Sequence, residues 1–343
     1  MANFDTCFNY ALDCLDAGEI LHMQSKPGVG KSSLARLVAE ERNLFYIPCC
    51  VNAREPIDIN GYPHITENGR AEYIPFSDFP LVGDTIPKGY KGWLIDFEEI
   101  DQADPSMQKA LHRPLLEREI GKHKLHEKVF MIASGNRPED RAHASPMSTA
   151  LQSRMAHITL DSSVNWWTAH ATLMGWNPMI IAYVNFRVDN LNNFNPEIIG
   201  NYACERNWER LHKLMKVWES RNEVIDMKKS EEIAGIVGDS AAVDFIAYMG
   251  VKDQLISVQD VLLNPKGVSL PYDAGALYAI TMSLATGLEE AQVRPVFSFF
   301  ERLGFEYQLL AFRTLLTRFP NLLTSPELSN WIRQYGDRLY NMG

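Results

Sequence analysis

The residues with the clearest chemistry are consecutive. Ser25-Lys26-Pro27-Gly28-Val29-Gly30-Lys31-Ser32 fits the pattern G-x-x-x-x-G-K-[ST] everywhere except its first position, where serine replaces glycine. Gly28 and Gly30 permit backbone conformations that turn N–H groups inward, and a helix starting directly behind them adds the positive end of its dipole. Such a loop cradles phosphate oxygens. Ser25, Lys26, Pro27, Gly28, Val29, Gly30, Lys31, Ser32 and Ser33 are therefore expected to line the phosphates of ATP, with Lys31 reaching the β- and γ-phosphates. Ser32 is expected to supply a hydroxyl ligand to magnesium, a cation that keeps several waters in a near-octahedral shell. A glycine-rich turn with an exposed lysine is the bland alternative; the strand before and helix after argue against it.

A second concentration of chemistry is Trp93-Leu94-Ile95-Asp96-Phe97-Glu98-Glu99-Ile100-Asp101, an apolar run that releases carboxylates at its end. One carboxylate there can hold magnesium while another polarises a water. Asp96 and Glu98 lie on one strand face, so both are candidates for the metal side. The competing reading is a solvated acidic helix start favoured by the helix dipole. Further on, Ile132-Ala133-Ser134-Gly135-Asn136 ends in an amide able to hydrogen-bond a γ-phosphate and an attacking water together.

The elements that must position these groups alternate. Phe4 to Leu15 has helical apolar spacing, Glu19 to Gln24 reads as a buried strand, Ser33 to Arg42 as a helix and Leu44 to Val51 as a strand. Residues 52–90, rich in Pro, Gly and Asn, form an insertion with a hairpin predicted around Glu67-Asn68-Gly69. Lys91 to Phe97 is a strand, Pro105 to Glu119 a helix, Lys128 to Ser134 a strand, Met147 to Arg154 a short helix and His157 to Leu160 a strand. Five strands separated by helices argue for a parallel sheet covered on both faces, an αβα sandwich of the P-loop NTPase kind. After Asp161 only helices are predicted: a lid over 161–263, then a helical extension over 264–343, following an ATP-binding core at 1–160.

The acidic strand end resembles the motif of AAA+ ATPases, a hydrophobic strand followed by Asp-Glu. Aligning Glu98-Glu99-Ile100-Asp101 on the family's Asp-Glu-Ile-Asp makes Glu98 the metal-side acid and Glu99 the general base; a second alignment uses Asp96 and Glu98. Asn136 resembles the family's sensor 1. Met147-Ser148-Thr149-Ala150-Leu151-Gln152-Ser153-Arg154 resembles the helix ending in its arginine finger, which implies that Arg154 reaches the ATP of a neighbouring subunit. Glu205-Arg206-Asn207-Trp208 resembles sensor 2, which implies a γ-phosphate contact from Arg206. The order of these motifs over residues 1 to 260 resembles the MoxR branch, including members carried by bacteriophages, often beside a von Willebrand factor A domain partner. Arg54 to Pro63 and Arg118 to Leu125 resemble segments that face the pore or partner in such rings. The resemblance implies a ring, expected to be a hexamer, that hydrolyses ATP with magnesium to remodel or chaperone a protein partner.

Composition sets the remaining bounds. The chain has 343 residues and a net charge of -10, an acidic balance that disfavours sequence-blind polyanion binding, so nucleic acid is not the favoured partner. A motor acting on nucleic acid is still the first alternative, and a nucleotide-switched assembly module with little turnover the second. Five scattered cysteines without a CxxC pair give no disulfide framework and suit a reducing cytoplasm, the host's if the chain is phage-encoded. No apolar run is long enough for a membrane span, and Asp5 and Asp13 do not suit a secretory leader. His123 and His126 lack a third ligand of matching spacing, and Cys49-Cys50 and the tryptophans at 166, 167 and 176 read as packing.

Overall fold

The computed structural model describes residues 2–140, 147–250 and 258–340. The chain divides into two compact units, Met1–Ser162 with Phe194–Ile199, and Ser163–Asn193 with Gly200–Gly343.

In the first unit the strands are β1 (Leu21–Ser25), β2 (Leu44–Cys50), β3 (Tyr62–Ile65), β4 (Ala71–Ile74), β5 (Gly92–Glu98), β6 (Glu119–Ile120), β7 (His123–Lys124), β8 (Val129–Asn136) and β9 (Ala156–Thr159). Five of them form a parallel sheet in the order β2-β5-β8-β1-β9. The helices are α1 (Phe4–Ala17), α2 (Lys31–Glu41), α3 (Pro56–Asn60), α4 (Pro105–His112) and α5 (Thr149–Gln152). Helix α1 starts where the Asn3 side chain accepts the Thr6 N–H and stops at Gly18, whose φ of 75° only glycine adopts freely.

Strand β5 shows why the sheet is central. Its first six residues are buried, as expected for a parallel strand covered on both faces. Trp93, Ile95 and Phe97 share a core with Met107, Ala110 and Leu111 of α4. The opposite face turns Asp96 toward Tyr46, over whose ring Arg36 of α2 lies at 4.3 Å. Alternation along the strand thus sends apolar side chains to one layer and a carboxylate to the other.

The insertion contains α3 and the antiparallel hairpin β3–β4, turned through Glu67-Asn68-Gly69 with Gly69 at φ 70°, and every residue of both its strands is exposed. The helix expected to reach Glu119 ends at His112. Pro114 has no N–H for the helical ladder, so the chain widens into a π turn over Arg113–Glu117 and leaves it at Arg118 with φ 55°. The hairpin β6–β7 follows directly.

The second unit is helical, with helices including Val164–Leu173, Pro178–Phe186, Glu205–Ser220, Asp239–Gly250, Ala274–Gly287, Glu290–Phe300, Phe305–Arg318 and Pro326–Tyr340. One buried cluster joins Trp167, Ile180, Tyr183, Trp208 and Phe245 to Ala279 and Met282. A second joins Ile280 and Leu284 to Phe299, Phe300, Phe312 and Trp331. The expected boundary at 263/264 falls inside this unit, because Ala274–Gly287 contributes to both clusters. Residues 341–343, the end of the expected extension, lie outside the described residues.

Candidate active site

Parallel strands end on the same edge, and the register brings the candidate groups there together. Ser25 at the end of β1 pairs with Asn136 at the end of β8, and Cys50 at the end of β2 with Glu98 at the end of β5. From Ser25 the chain turns through Gly28 at φ 81° and Gly30 at φ 109° into α2. Gly30 is the residue before the helix and has no side chain to cap it, so the first N–H groups of α2 receive no hydrogen bond from the cap position. Lys31, the first residue of α2, donates from Nζ to Ser25 Oγ at 2.9 Å and to Asn136 Oδ1 at 3.1 Å. Ser25 Oγ in turn donates to the Lys26 carbonyl at 2.7 Å, a bond glycine could not make.

The residue types therefore suit a bound triphosphate. The start of α2, without a capping side chain, and the Lys31 ammonium stand at this strand edge, with the Ser32 hydroxyl in the first helical turn. Lys26, Pro27, Gly30, Lys31 and Ser32 are half-buried, Gly28 and Val29 buried and Ser33 exposed. Among the described residues no group of three or more His, Cys, Asp and Glu side chains converges on a metal site. A magnesium ion would thus rely on Ser32, one strand-end carboxylate, waters and phosphate oxygens, the sparse protein ligation that this ion usually takes.

The three acids occupy different environments. Asp96 is fully buried; it accepts from Tyr46 Oη at 2.8 Å and from Ser134 Oγ at 3.5 Å. Burial outweighs those bonds and pushes its carboxyl up to about 7, with Glu98 adding repulsion. Glu98, one strand repeat nearer the edge, is half-buried. Glu99 is exposed at φ 58°, a left-handed conformation that costs a non-glycine residue about 1–3 kcal/mol. Its Oε2 accepts from Asn52 Nδ2 at 3.5 Å and lies 4.0 Å from Cys50 Sγ. Asn52 also donates to Gln102 Oε1 at 3.1 Å. Asp101 is buried against Gly135, where any Cβ would collide with its carboxylate.

Arg154 stands elsewhere in the first unit, and Arg206 belongs to the second. Arg154 is exposed, follows α5 and has no ion pair among the described residues. The register Leu21↔Ala156 puts it at the opposite edge of the sheet from the phosphate loop, roughly 20 Å away at 3.3 Å per strand residue. No arginine side chain spans that distance, so Arg154 does not reach the phosphate loop of this chain. Arg206 is exposed in the first turn of Glu205–Ser220 in the second unit, between Glu205, which accepts from Asn192 Nδ2 at 2.9 Å, and Asn207, which donates to the Tyr202 carbonyl at 2.8 Å.

Sequence reasoning missed Asn52 and Tyr46, the partners of Glu99 and Asp96. The signal lay in strand pairing: with β2 beside β5, Tyr46 falls on the face of Asp96 and Asn52 beside the β5 tip.

Residues 22–155 match the protein family described as AAA domain (dynein-related subfamily). No curated protein sequence matches the chain. Among solved structures the chain is similar to NtrX from Brucella abortus, at 12% identity over 100% of this chain and 69% of that chain, with a TM-score of 0.39. It is similar to the same protein in complex with ATP, at 12% identity over 98% and 69% with a TM-score of 0.39. The complex with ADP aligns at 11% identity over 97% and 68% with a TM-score of 0.39. The parallel sheet order, the loop between β1 and α2 and the family match together give the P-loop AAA fold followed by a helical region. Among the described residues no helix is long and apolar enough to cross a membrane.

Proposed function

We propose that the AAA domain matched at residues 22–155 binds ATP with magnesium and hydrolyses it in a ring of identical subunits, in the manner of the MoxR branch, to remodel a protein partner. The observation that carries this reading is the Lys31 ammonium held between Ser25 and Asn136, which ties the phosphate loop to the tip of the neighbouring strand. When bound, magnesium-ATP supplies the electrophilic phosphorus and a divalent charge beside it. The chain supplies the rest. Backbone N–H groups of the loop and the start of α2 hold the phosphates, Lys31 neutralises developing charge, and Asn136 orients an attacking water with its amide. Glu98 is the metal-side acid and Glu99 the base that takes the water's proton. Asp96, fully buried, is engaged instead by the Tyr46 and Ser134 hydroxyls.

The position of Arg154 at the edge of the sheet away from the phosphate loop of its own chain supports a ring in which it serves a neighbour's nucleotide. The test is ATP hydrolysis by wild type and Lys31→Ala, with mass measured with and without ATP. Turnover lost in the variant and a nucleotide-dependent ring in wild type support the reading; a monomer that turns over no ATP sinks it.

A nucleotide-switched assembly module with little turnover is favoured by one observation: Asn52 and Cys50 draw Glu99 toward β2. ATP-dependent assembly with negligible phosphate release would select it.

A further inference from the structure

Strand β8 is held unequally at its tip. Its pairing with β5 runs from Trp93↔Val129 to Phe97↔Ala133, whereas its pairing with β1 runs on to Ser25↔Asn136. Asn136 therefore stands past the end of the β5 ladder, supported by β1 on one side, and its position depends on the chain that follows it.

That chain is folded back by an ion pair. Arg137 donates to Asp140 in a fork, from Nε to Oδ2 at 2.6 Å and from Nη2 to Oδ1 at 3.0 Å. The Asp140 N–H donates to the Arg137 carbonyl at 3.0 Å, which closes the same turn through the backbone over Pro138–Asp140. Asp140 is buried and the Arg137 side chain is 14% exposed. Either charge left there without its partner would be costly, and two parallel bonds admit one geometry. Glu139 places a second carboxylate 3.4 Å from the Arg137 Nε. With both acids on it, the guanidinium is taken up inside the turn, and its effect falls on the residue before it.

We propose that Arg137 and Asp140 are positioning residues for ATP hydrolysis: their fork closes the turn behind β8 and fixes where the Asn136 amide stands beside Lys31. The proposal rests on the reading above that Asn136 acts in hydrolysis. Two restraints then meet on one residue. The Lys31 ammonium, 3.1 Å from Oδ1, holds the side chain, and the fork holds the backbone that carries it. A displacement of about 1 Å within a reacting constellation can cost about 100-fold in rate, so a turn outside the phosphate contacts can govern turnover without touching nucleotide.

A double-mutant comparison separates positioning from support of the fold. Arg137→Gln is expected to lower kcat about tenfold and to leave KM for ATP within about twofold. Asp140→Asn, which keeps the shape and loses the charge, should do the same. In an Asn136→Ala background neither substitution should slow turnover further, because the amide they position is gone. Arg137→Lys, which keeps the charge and gives up the fork, should fall between wild type and Arg137→Gln. A loss of kcat that vanishes in the Asn136→Ala background supports the proposal. An equal loss in both backgrounds, or an unchanged kcat in Arg137→Gln, overturns it and leaves Asn136 in the mechanism. Full turnover by Asn136→Ala overturns the role of Asn136 and the proposal together. If Arg137→Gln loses cooperative melting, Arg137→Lys carries the same comparison: a kcat lowered only where Asn136 is present supports the proposal, and any other result overturns it.

Discussion

Lys31 Nζ lies 3.1 Å from Asn136 Oδ1, a bond between the first residue of the helix behind the phosphate loop and the last residue of the strand beside it. The ammonium holds the amide oxygen and so fixes the orientation of the Asn136 side chain beside the phosphate loop. The two residues should therefore separate binding from chemistry. Lys31→Ala is expected to lose ATP affinity. Asn136→Ala is expected to keep affinity within a few-fold and to slow hydrolysis by about 100-fold, as for loss of one preorganised donor. Nucleotide titration beside phosphate-release rates checks this; an Asn136→Ala protein at full rate removes the residue from the mechanism.

Glu99 is held away from regular strand geometry by its left-handed φ and toward β2 by Asn52. Glu99→Gln keeps the shape and removes the base, so the variant should bind ATP and assemble without turning over. Asn52→Ala frees Glu99 and should raise the basal rate several-fold if the contact restrains the base. A Glu99→Gln protein that still hydrolyses ATP moves the base to Glu98.

Asp96 gives a pH-dependent stability of predictable sign. Unfolded, its carboxyl ionises near the ordinary 3.8; folded, it holds its proton to about 7. The stability this contributes is fully present below 3.8 and is lost as pH rises through 7, on the order of 4 kcal/mol in all. Asp96→Asn keeps an acceptor for Tyr46 and cannot ionise, so it should melt higher than wild type at pH 8 and alike at pH 4. Its ATP turnover should stay within a few-fold of wild type. Loss of turnover would instead put Asp96 at the metal.

The phosphate loop was legible from the sequence because its residue types follow from one backbone task, aiming N–H groups at phosphate. The hairpin β3–β4 was legible because Asn68-Gly69 suits a tight turn. What strand pairing decides was not legible. The order β2-β5-β8-β1-β9 sets Tyr46 beside Asp96 and Asn52 beside Glu99, and no local pattern encodes that adjacency. The placement of Arg118 was not legible for a related reason: Pro114 broke an otherwise helical pattern, and the π turn that resulted brings the guanidinium onto β8. The different depths of Asp96, Glu98 and Glu99 were not legible either, because residue identity does not carry burial.

The helical unit should respond to acid in the opposite sense from Asp96. His212 Nδ1 accepts the Asn177 N–H at 3.0 Å and its ring stacks on Trp176 at 5.9 Å, while His170 lies between Trp166 at 5.1 Å and Trp176 at 6.0 Å. Burial lowers both pKa values; Lys216 lowers His212 further, and Glu209 offsets part of each shift. With folded values depressed, the unfolded chain takes up protons first. Stability is fully present above the ordinary 6.5 and is lost as pH falls through the folded values. Trp93 is the one tryptophan of the first unit, the other six lying in the second, so a Trp93→Phe protein reports the helical unit alone by fluorescence. Its denaturation midpoint should be lower at pH 5.5 than at pH 7.5. His212→Gln, which leaves an acceptor for Asn177 and cannot titrate, should flatten that difference; an unchanged difference would assign the acid response to other groups.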